Sequence, residues 1–540
     1  MGSASDFVKR YIKEAFSHFP TQATLLGIHE HDHELEDFSK DGREELLRFV
    51  KRTSRELTRF DREKLSSDGR LDLALLGSEL SDYLLAFEEQ KAWETDPSVY
   101  PENILYSAYA LVGRHETSWT RRGSSLLSRM KRFPRFLNQG KKNLKNPPKL
   151  FTQIALEVTA GGIDFFRSWE VEKFPLPKTL KQDVEKERKK TLVALDDYLA
   201  WLKDKLLPVS HGNFAVGKSF YNRLLKERHL LPYNSEDLKA IGEEHLQRTL
   251  KELTRLAASI DRNKSWQEIL ADGSQSHPKP GELIPVYKAL MEKAKAFIVE
   301  KNLVPLPSYE EIVITETPPF NRMVLPFAAY MPATPFGKQG RGEFWVTPVS
   351  THLPAMELEA RLREHAYHKI PLTVLHETYP GHHVQFSFLR EFSSPMLKRA
   401  FSTVSCEGWA FYCEQMMKEA GFYSDPLSEL SQLKDQLWRV VRVILDVGLQ
   451  TNKISPRKAV EFLHEKVLFP EAMSWGEVKR YTREATQPMS YFIGKHEILR
   501  LRDNYQRKKG AKFRLFDFHQ EFLQCGVTPL KLAEDRLIAL

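Results

Sequence analysis

Apolar residues recur at three- and four-residue spacing along most of this chain. Residues 5–17, 43–60, 70–94, 178–206, 235–261 and 283–301 carry that pattern, with Leu, Lys and Glu abundant between the apolar positions. The spacing predicts amphipathic helices, each burying one face. A helix start is expected at Tyr233–Leu238, with Ser235 as the cap. Pro-rich breaks near 146–148, 175–177, 278–280 and 304–307 separate the helical runs.

One stretch has a different period. Glu311–Thr317 is short, β-branched and followed by a Pro pair, and Met323–Tyr330 and Glu343–Thr347 come after it across turns containing Pro and Gly. These segments predict a small sheet set inside a helical protein. Helical patterning returns at 355–369, 371–391, 402–420, 427–451 and 456–468. No internal repeat or low-complexity tract interrupts it. The fold class is therefore mainly α with a small β-sheet. The 540 residues are read as a single unit, with sub-lobes over 1–300 and 301–540 as the expected subdivision.

Composition narrows the partners. Apolar residues at 41% and charged residues at 28% fit a globular chain with a large core. The net charge of +8 comes from 80 basic against 72 acidic side chains, a mild excess for this length. The basic stretch Arg129–Lys149 lacks the interleaved aromatic and Gly residues of nucleic-acid readers and is read as solvated surface. Neither nucleic acid nor membrane is an expected partner, since no apolar run is long enough to span a bilayer. The opening residues form an amphipathic, charged segment and not an apolar signal core, so a cytoplasmic location is expected, or a secreted one if a leader has been removed. Cys406, Cys413 and Cys525 are too few for a disulfide framework and are read as buried thiols.

The chemistry concentrates in His376-Glu377-Thr378-Tyr379-Pro380-Gly381-His382-His383. A hydrolytic zinc site takes about three protein ligands, an open position for water, and a carboxylate to accept that water's proton. His376-Glu377 supplies the first half of a helical His-Glu-x-x-His arrangement, but Pro380 stands where its second histidine would be. On an unbroken helix His382 and His383 would be displaced from His376 by about 9 and 10.5 Å along the axis. Pro380 and Gly381 predict a break that brings one of them back. Spacing alone leaves the choice between the two open. Glu407, within Ser405-Cys406-Glu407-Gly408-Trp409-Ala410 on an apolar helix, is the candidate third ligand, because a carboxylate there is costly to bury unpaired. Glu414 shares its face and is read as exposed, with a place behind a metal ligand as the alternative, while His365 and His368 are read as surface or core histidines.

These segments resemble a known family. Pro371–Gln385, Cys406-Glu407-Gly408-Trp409-Ala410, Gln487–Lys495 and the closing Phe518–Leu523 with Gly526–Leu530 are similar to the motifs of the domain-of-unknown-function 885 family. Weaker likeness extends to Pro20–Gly27 and Gly217–Tyr221, so the resemblance covers nearly the whole chain. It implies a helical, zincin-like metallopeptidase fold with a deep cleft. It also implies His382 over His383 as ligand, Glu407 as third ligand and Glu377 as base. Where Gln450 stands, relatives often carry a histidine.

The expected activity is zinc-dependent hydrolysis of short peptides, with a non-peptide small molecule as the alternative substrate and a non-catalytic binding role as the third reading. Zn²⁺ would sit on His376, His382 and Glu407, with Glu377 moving the proton and Tyr491 stabilising the oxyanion. Lys495 and Arg500 are candidates for contacts to substrate charge. Asp446 is a candidate for orienting a ligand histidine. Glu343–Thr347 is a candidate edge for an extended peptide.

Overall fold

The computed structural model describes residues 3–113, 117–318, 322, 325, 327–337 and 340–539. The chain divides into two compact units: Met1–Val216 with Thr334–Gly340 and Ser394–Arg399, and Gly217–Ala333 with Arg341–Ser393 and Ala400–Leu540. Helices between 217 and 300 pack on the helices that follow the sheet and so fall in the second unit.

The first unit is helical. Ala4–His18, Lys40–Leu57 and Lys178–Trp201 follow the apolar spacing closely. Val99–Val112, Trp119–Met130, Phe133–Asn143 and Lys149–Arg167 are further helices, outside the segments read as helical. Arg129 corrects the reading of its basic stretch as solvated. It is fully buried and donates to the carbonyls of Glu34, Ser107 and Pro20 at 2.8, 2.8 and 3.2 Å, and to Thr24 Oγ1 at 2.7 Å. Backbone oxygens of three segments converge there, and a guanidinium has enough donors to satisfy them together.

The second unit holds the predicted site. Its helices are α1 (Ser235–Ile260) and α2 (Leu283–Glu300), followed by strands β1 (Ile312–Glu316), β2 (Ala328–Met331) and β3 (Gly342–Val346). The cap of α1 is Asn234 and not Ser235: Asn234 accepts from the Asp237 amide and Asp237 returns the bond, closing a capping box. After the sheet come α3 (Ile370–Glu377), α4 (His382–Ser387), α5 (Thr403–Glu419) and α6 (Pro426–Gln450). Next are α7 (Glu471–Arg483) and α8 (Ser490–Lys509).

The sheet order is β1-β3-β2, with β1 parallel and β2 antiparallel to β3. This corrects the expectation for Glu343–Thr347. That strand is central, with Glu343 opposite Val313 on one side and Met331 on the other, so it offers no edge. The expected strand Met323–Tyr330 begins at Ala328, and Met323 and Val324 lie outside the described residues.

Two packed pairs set the frame. α1 lies along α6, and α5 lies along α8. The second pair touches at Gly408 and Gly494: a Cβ on Gly408 would stand 2.5 Å from the Gly494 Cα. Only glycine permits so close a backbone approach.

Candidate metal centre

Helix α3 ends at Glu377. The chain turns through Thr378, a cis Tyr379–Pro380 peptide and Gly381, and restarts as α4 at His382. The Gly381 amide donates to Leu375 O at 3.0 Å, folding the turn back against the end of α3. A Cβ at Gly381 would collide with the carbonyl oxygens of His376 and Leu375. Trp409 Nε1 on α5 donates to Pro380 O and Gly381 O at 3.0 and 3.3 Å, pinning the turn from the other side.

The turn brings His382 beside His376, with ring centroids 4.8 Å apart and planes nearly perpendicular. Glu407 Oε2 lies 3.5 Å from His376 Nε2 and 3.6 Å from His382 Nε2. All three donor atoms lie within 4.8 Å of one another. Of the two histidines left open by spacing, His382 is the one that the turn brings beside His376 and Glu407. The neighbouring His383 faces elsewhere: its Nε2 donates to Glu310 Oε1 at 3.1 Å and its Nδ1 accepts from the Tyr330 hydroxyl at 3.0 Å.

Whether these residues suit a metal can be tested on their own geometry. A tetrahedral ion with bonds of about 2.0–2.1 Å separates its ligands by about 3.3–3.4 Å. The two His–Glu separations of 3.5 and 3.6 Å are close to that. Glu407 Oε2 is buried without a hydrogen-bond partner, an orphan that a cation would satisfy. Glu414, read from the sequence as exposed, is 1% exposed, and its Oε1 takes the Nδ1 proton of His376 at 2.9 Å. With Nδ1 engaged by Glu414, Nε2 is the ring nitrogen that faces Glu407. His382 Nδ1 lies 3.6 Å from Cys406 Sγ.

Electrostatics favour a cation. Burial resists protonation of His376, but Glu407, Glu414 and Glu377 outweigh it and raise its pKa to about 10. Burial alone would raise Glu407, yet the two imidazoles hold it well below the usual carboxylate range. Three carboxylates around two imidazoles attract positive charge, and a divalent ion can take the place of the proton.

Glu377 follows His376 directly, and its Oε2 accepts from the Tyr330 amide of β2 at 2.9 Å. Tyr330 is itself held through His383, Glu310 and Lys295, the last pair at 2.8 Å. Tyr491, at the start of α8, lies nearly parallel to the His376 ring with centroids 6.3 Å apart. His376, Glu377 and Tyr491 line one cavity of about 800 Å³.

The remaining sequence candidates lie elsewhere. Lys495 is buried in a separate cavity of about 430 Å³, where its Nζ donates to Gln436 Oε1 at 2.5 Å and burial lowers its pKa to about 7. Arg500 is tied to Glu497 and Glu534 by bonds of 2.7–3.0 Å. Neither lines the cavity at the metal centre. Asp446 does not touch a ligand histidine. Its carboxylate accepts from the Tyr221 hydroxyl at 3.0 Å and from the amides of Thr486 and Met489 at 3.2 and 3.4 Å, so it holds the loop leading into α8. Gln450 donates to Tyr481 O and Thr482 O and braces α7. His365 and His368 are core histidines, bonded to Tyr287 and to Ser274 and Ser431. The three cysteines are buried free thiols, as expected. The sequence reading missed Arg439, Arg442 and Arg480, which line the same cavity as His376, Glu377 and Tyr491. The signal was present in Trp438-Arg439-Val440-Val441-Arg442, two cations inside an apolar helical run.

A family model described as "Bacterial protein of unknown function (DUF885)" matches residues 20–537. The chain belongs to this family. Membership agrees with the resemblance carried by the motifs. Among curated proteins nothing matches. Two solved structures, each described as a "putative lipoprotein", are similar in fold. The one from Shewanella oneidensis, of unknown function, has a TM-score of 0.84 at 23% identity, covering 100% of each chain. The one from Colwellia psychrerythraea has a TM-score of 0.78 at 17% identity, covering 99% of this chain and 98% of that one. This chain is mainly helical with a small three-stranded sheet. Among the described residues no helix is long and apolar enough to cross a membrane.

Proposed function

We propose that this family member is a zinc-dependent peptidase of zincin-like plan that cleaves short peptides. The observation that carries the reading is the convergence of His376 Nε2, His382 Nε2 and Glu407 Oε2, with Glu377 adjacent in sequence. When bound by these three residues, zinc supplies a Lewis acid and lowers the pKa of a water toward neutrality. Glu377 takes the proton of the attacking water and returns it to the leaving amine. The Tyr330 amide fixes one oxygen of Glu377, leaving the other for that transfer. Tyr491 contributes its hydroxyl to the oxyanion. Glu414 orients His376 and raises its basicity as a ligand.

A peptide substrate is favoured over a smaller molecule by the cavity. At about 800 Å³ it has room for a short peptide, and Ala328 of β2 forms part of its wall. A backbone lying along β2 would be held by main-chain hydrogen bonds. Mass-spectrometric metal analysis of the purified protein beside His376→Ala tests the centre. Near-stoichiometric zinc, lost in the variant, is expected, and no metal in either protein after incubation with zinc would refute the reading. A peptide-library screen of the zinc-loaded protein, with Glu377→Gln as control, then tests the activity. The lipoprotein description of the two similar structures favours the cell envelope over the cytoplasm, and fractionation of cells expressing the chain separates the two.

A further inference from the structure

Beyond Tyr491, the cavity wall carries arginines to which hydrolysis itself gives no role. Arg439 and Arg442 come from α6 and Arg480 from α7. Arg442 is 2% exposed. Its Nε donates to the Tyr481 hydroxyl at 3.0 Å and its Nη2 to Glu477 Oε2 at 2.9 Å, while its Nη1 has no hydrogen-bond partner. Arg480 Nη2 donates to Glu477 Oε1 at 3.1 Å and to the shared Oε2 at 2.9 Å, and its Nε is unpartnered. Arg439 Nη1 stands 3.6 Å from Asp435 Oδ2, beyond hydrogen-bonding distance, and its Nε also lacks a partner.

Three guanidinium groups thus meet two carboxylates. The excess charge and the unpartnered N–H groups are costly in a buried wall until an anion supplies acceptors. The forks are also preorganised: the Cζ atoms of Arg439 and Arg442 each lie 4.0 Å from the Trp438 ring centroid. Arg442 Cζ lies 4.5 Å from the Tyr491 ring, which in turn lies 6.3 Å from the His376 ring. One phenol ring therefore separates the arginines from the metal ligands. An extended residue spans about 3.3–3.6 Å. A fragment of one or two residues reaches from a carbonyl at the centre to the guanidinium groups.

We propose that Arg439, Arg442 and Arg480 bind the α-carboxylate at the C-terminus of a short peptide, so that the centre removes one or two residues from that end. This rests on the peptidase reading. Water adds across the scissile C–N bond, its hydroxyl going to the carbonyl carbon and its proton, through Glu377, to the amine of the fragment held by the arginines. An acidic side chain offers the same carboxylate chemistry, but the terminal one is present on every peptide.

The test has a binding arm and a cleavage arm. In zinc-loaded Glu377→Gln protein, N-acetyl-phenylalanine and its amide are compared by calorimetry, with Arg442→Met or Arg439→Met added. The acid is expected to bind at least tenfold more tightly than the amide, and each arginine change to abolish most of that difference. Arg439 is less deeply buried, so its variant still decides the matter if Arg442→Met fails to fold. Equal binding of acid and amide by folded protein overturns the proposal. In the wild type, one peptide is presented as free acid, as amide, and as an amide ending in Glu. Preferential cleavage of the free acid supports the assignment. Equal cleavage of the plain amide overturns it, and so does equal cleavage of the Glu amide, which would move the site's preference to side chains. If no peptide is cut while acid-selective, arginine-dependent binding persists, the carboxylate site stands and the peptidase reading fails.

Discussion

Glu414 Oε1 lies 2.9 Å from Nδ1 of His376, while Nε2 of the same ring lies 3.5 Å from Glu407. One imidazole is thus held between a carboxylate that orients it and one that shares its proposed cation. Partners of this kind tune affinity without touching the metal. Glu414→Gln keeps the acceptor and removes the charge. It is expected to weaken zinc binding about 10–100-fold, measured by chelator competition, with the fold retained. Unchanged affinity would remove Glu414 from the site.

His382 and His383 are adjacent in sequence and opposed in role. His382→Ala is expected to abolish stoichiometric zinc. His383→Ala leaves the ligands in place but breaks the link from Glu310 to Tyr330. Zinc content should survive it, and activity should fall because the Tyr330 amide no longer fixes Glu377. Loss of zinc in His383→Ala alone would reverse the ligand assignment.

Glu377 lies outside the His376, His382 and Glu407 cluster, and the proposed mechanism gives it the proton transfer. Glu377→Gln is expected to bind zinc as the wild type does and to lower kcat by about 10²–10⁴-fold. Steady-state kinetics beside metal analysis check both halves, and a variant with full activity would exclude Glu377 as base.

Gly381 sits where any side chain would strike the carbonyls of His376 and Leu375. Gly381→Ala should open the turn, separate His382 from His376 and cost zinc along with about 1–3 kcal/mol of stability. Chemical denaturation and metal content test this together. A variant with normal zinc would mean that the turn has slack.

Asp446 provides a pH test. Burial pushes its carboxyl up to about 7 from the ordinary 3.8, against the lowering effect of the Thr486, Tyr221 and Met489 hydrogen bonds. The folded protein therefore keeps a proton that the unfolded chain has released. Stability from this group is complete below the ordinary value and is lost as pH rises through about 7. Asp446→Asn should remove that loss, so the stability of wild type relative to variant falls by on the order of 2–4 kcal/mol from pH 4 to pH 8. Parallel urea-denaturation curves across that range would show that Asp446 is ionised throughout.

Much of the centre was legible because its chemistry is dense in sequence. His376-Glu377 and the Pro380-Gly381 break are contiguous, and Glu407 interrupts an apolar helix. The break itself hid the choice between His382 and His383, since a distorted turn has no periodicity to read. For Glu414 the same-face spacing of seven residues from Glu407 pointed to a place behind the ligands, and its burial decides for that over exposure. Arg500 was misplaced because it follows Tyr491 by nine residues, half a turn around the helix. Lys495 shares the side of Tyr491 but lies one turn further on, against Gln436. In the first unit, Val99–Val112 escaped notice because apolar residues surround it, which erases the amphipathic period. The central position of β3 depends on pairing between distant strands, which local pattern does not encode.

The contact of Gly408 with Gly494 works as a ruler. It sets the spacing of α5 and α8 by main chain against main chain, and it lies next to Glu407 on one helix and one turn from Tyr491 on the other. The interval between the candidate metal ligand and the candidate oxyanion donor is therefore indifferent to the side chains that furnish the rest of the cavity. Those side chains are at liberty to diverge and admit new substrates, while the reacting groups keep their distance.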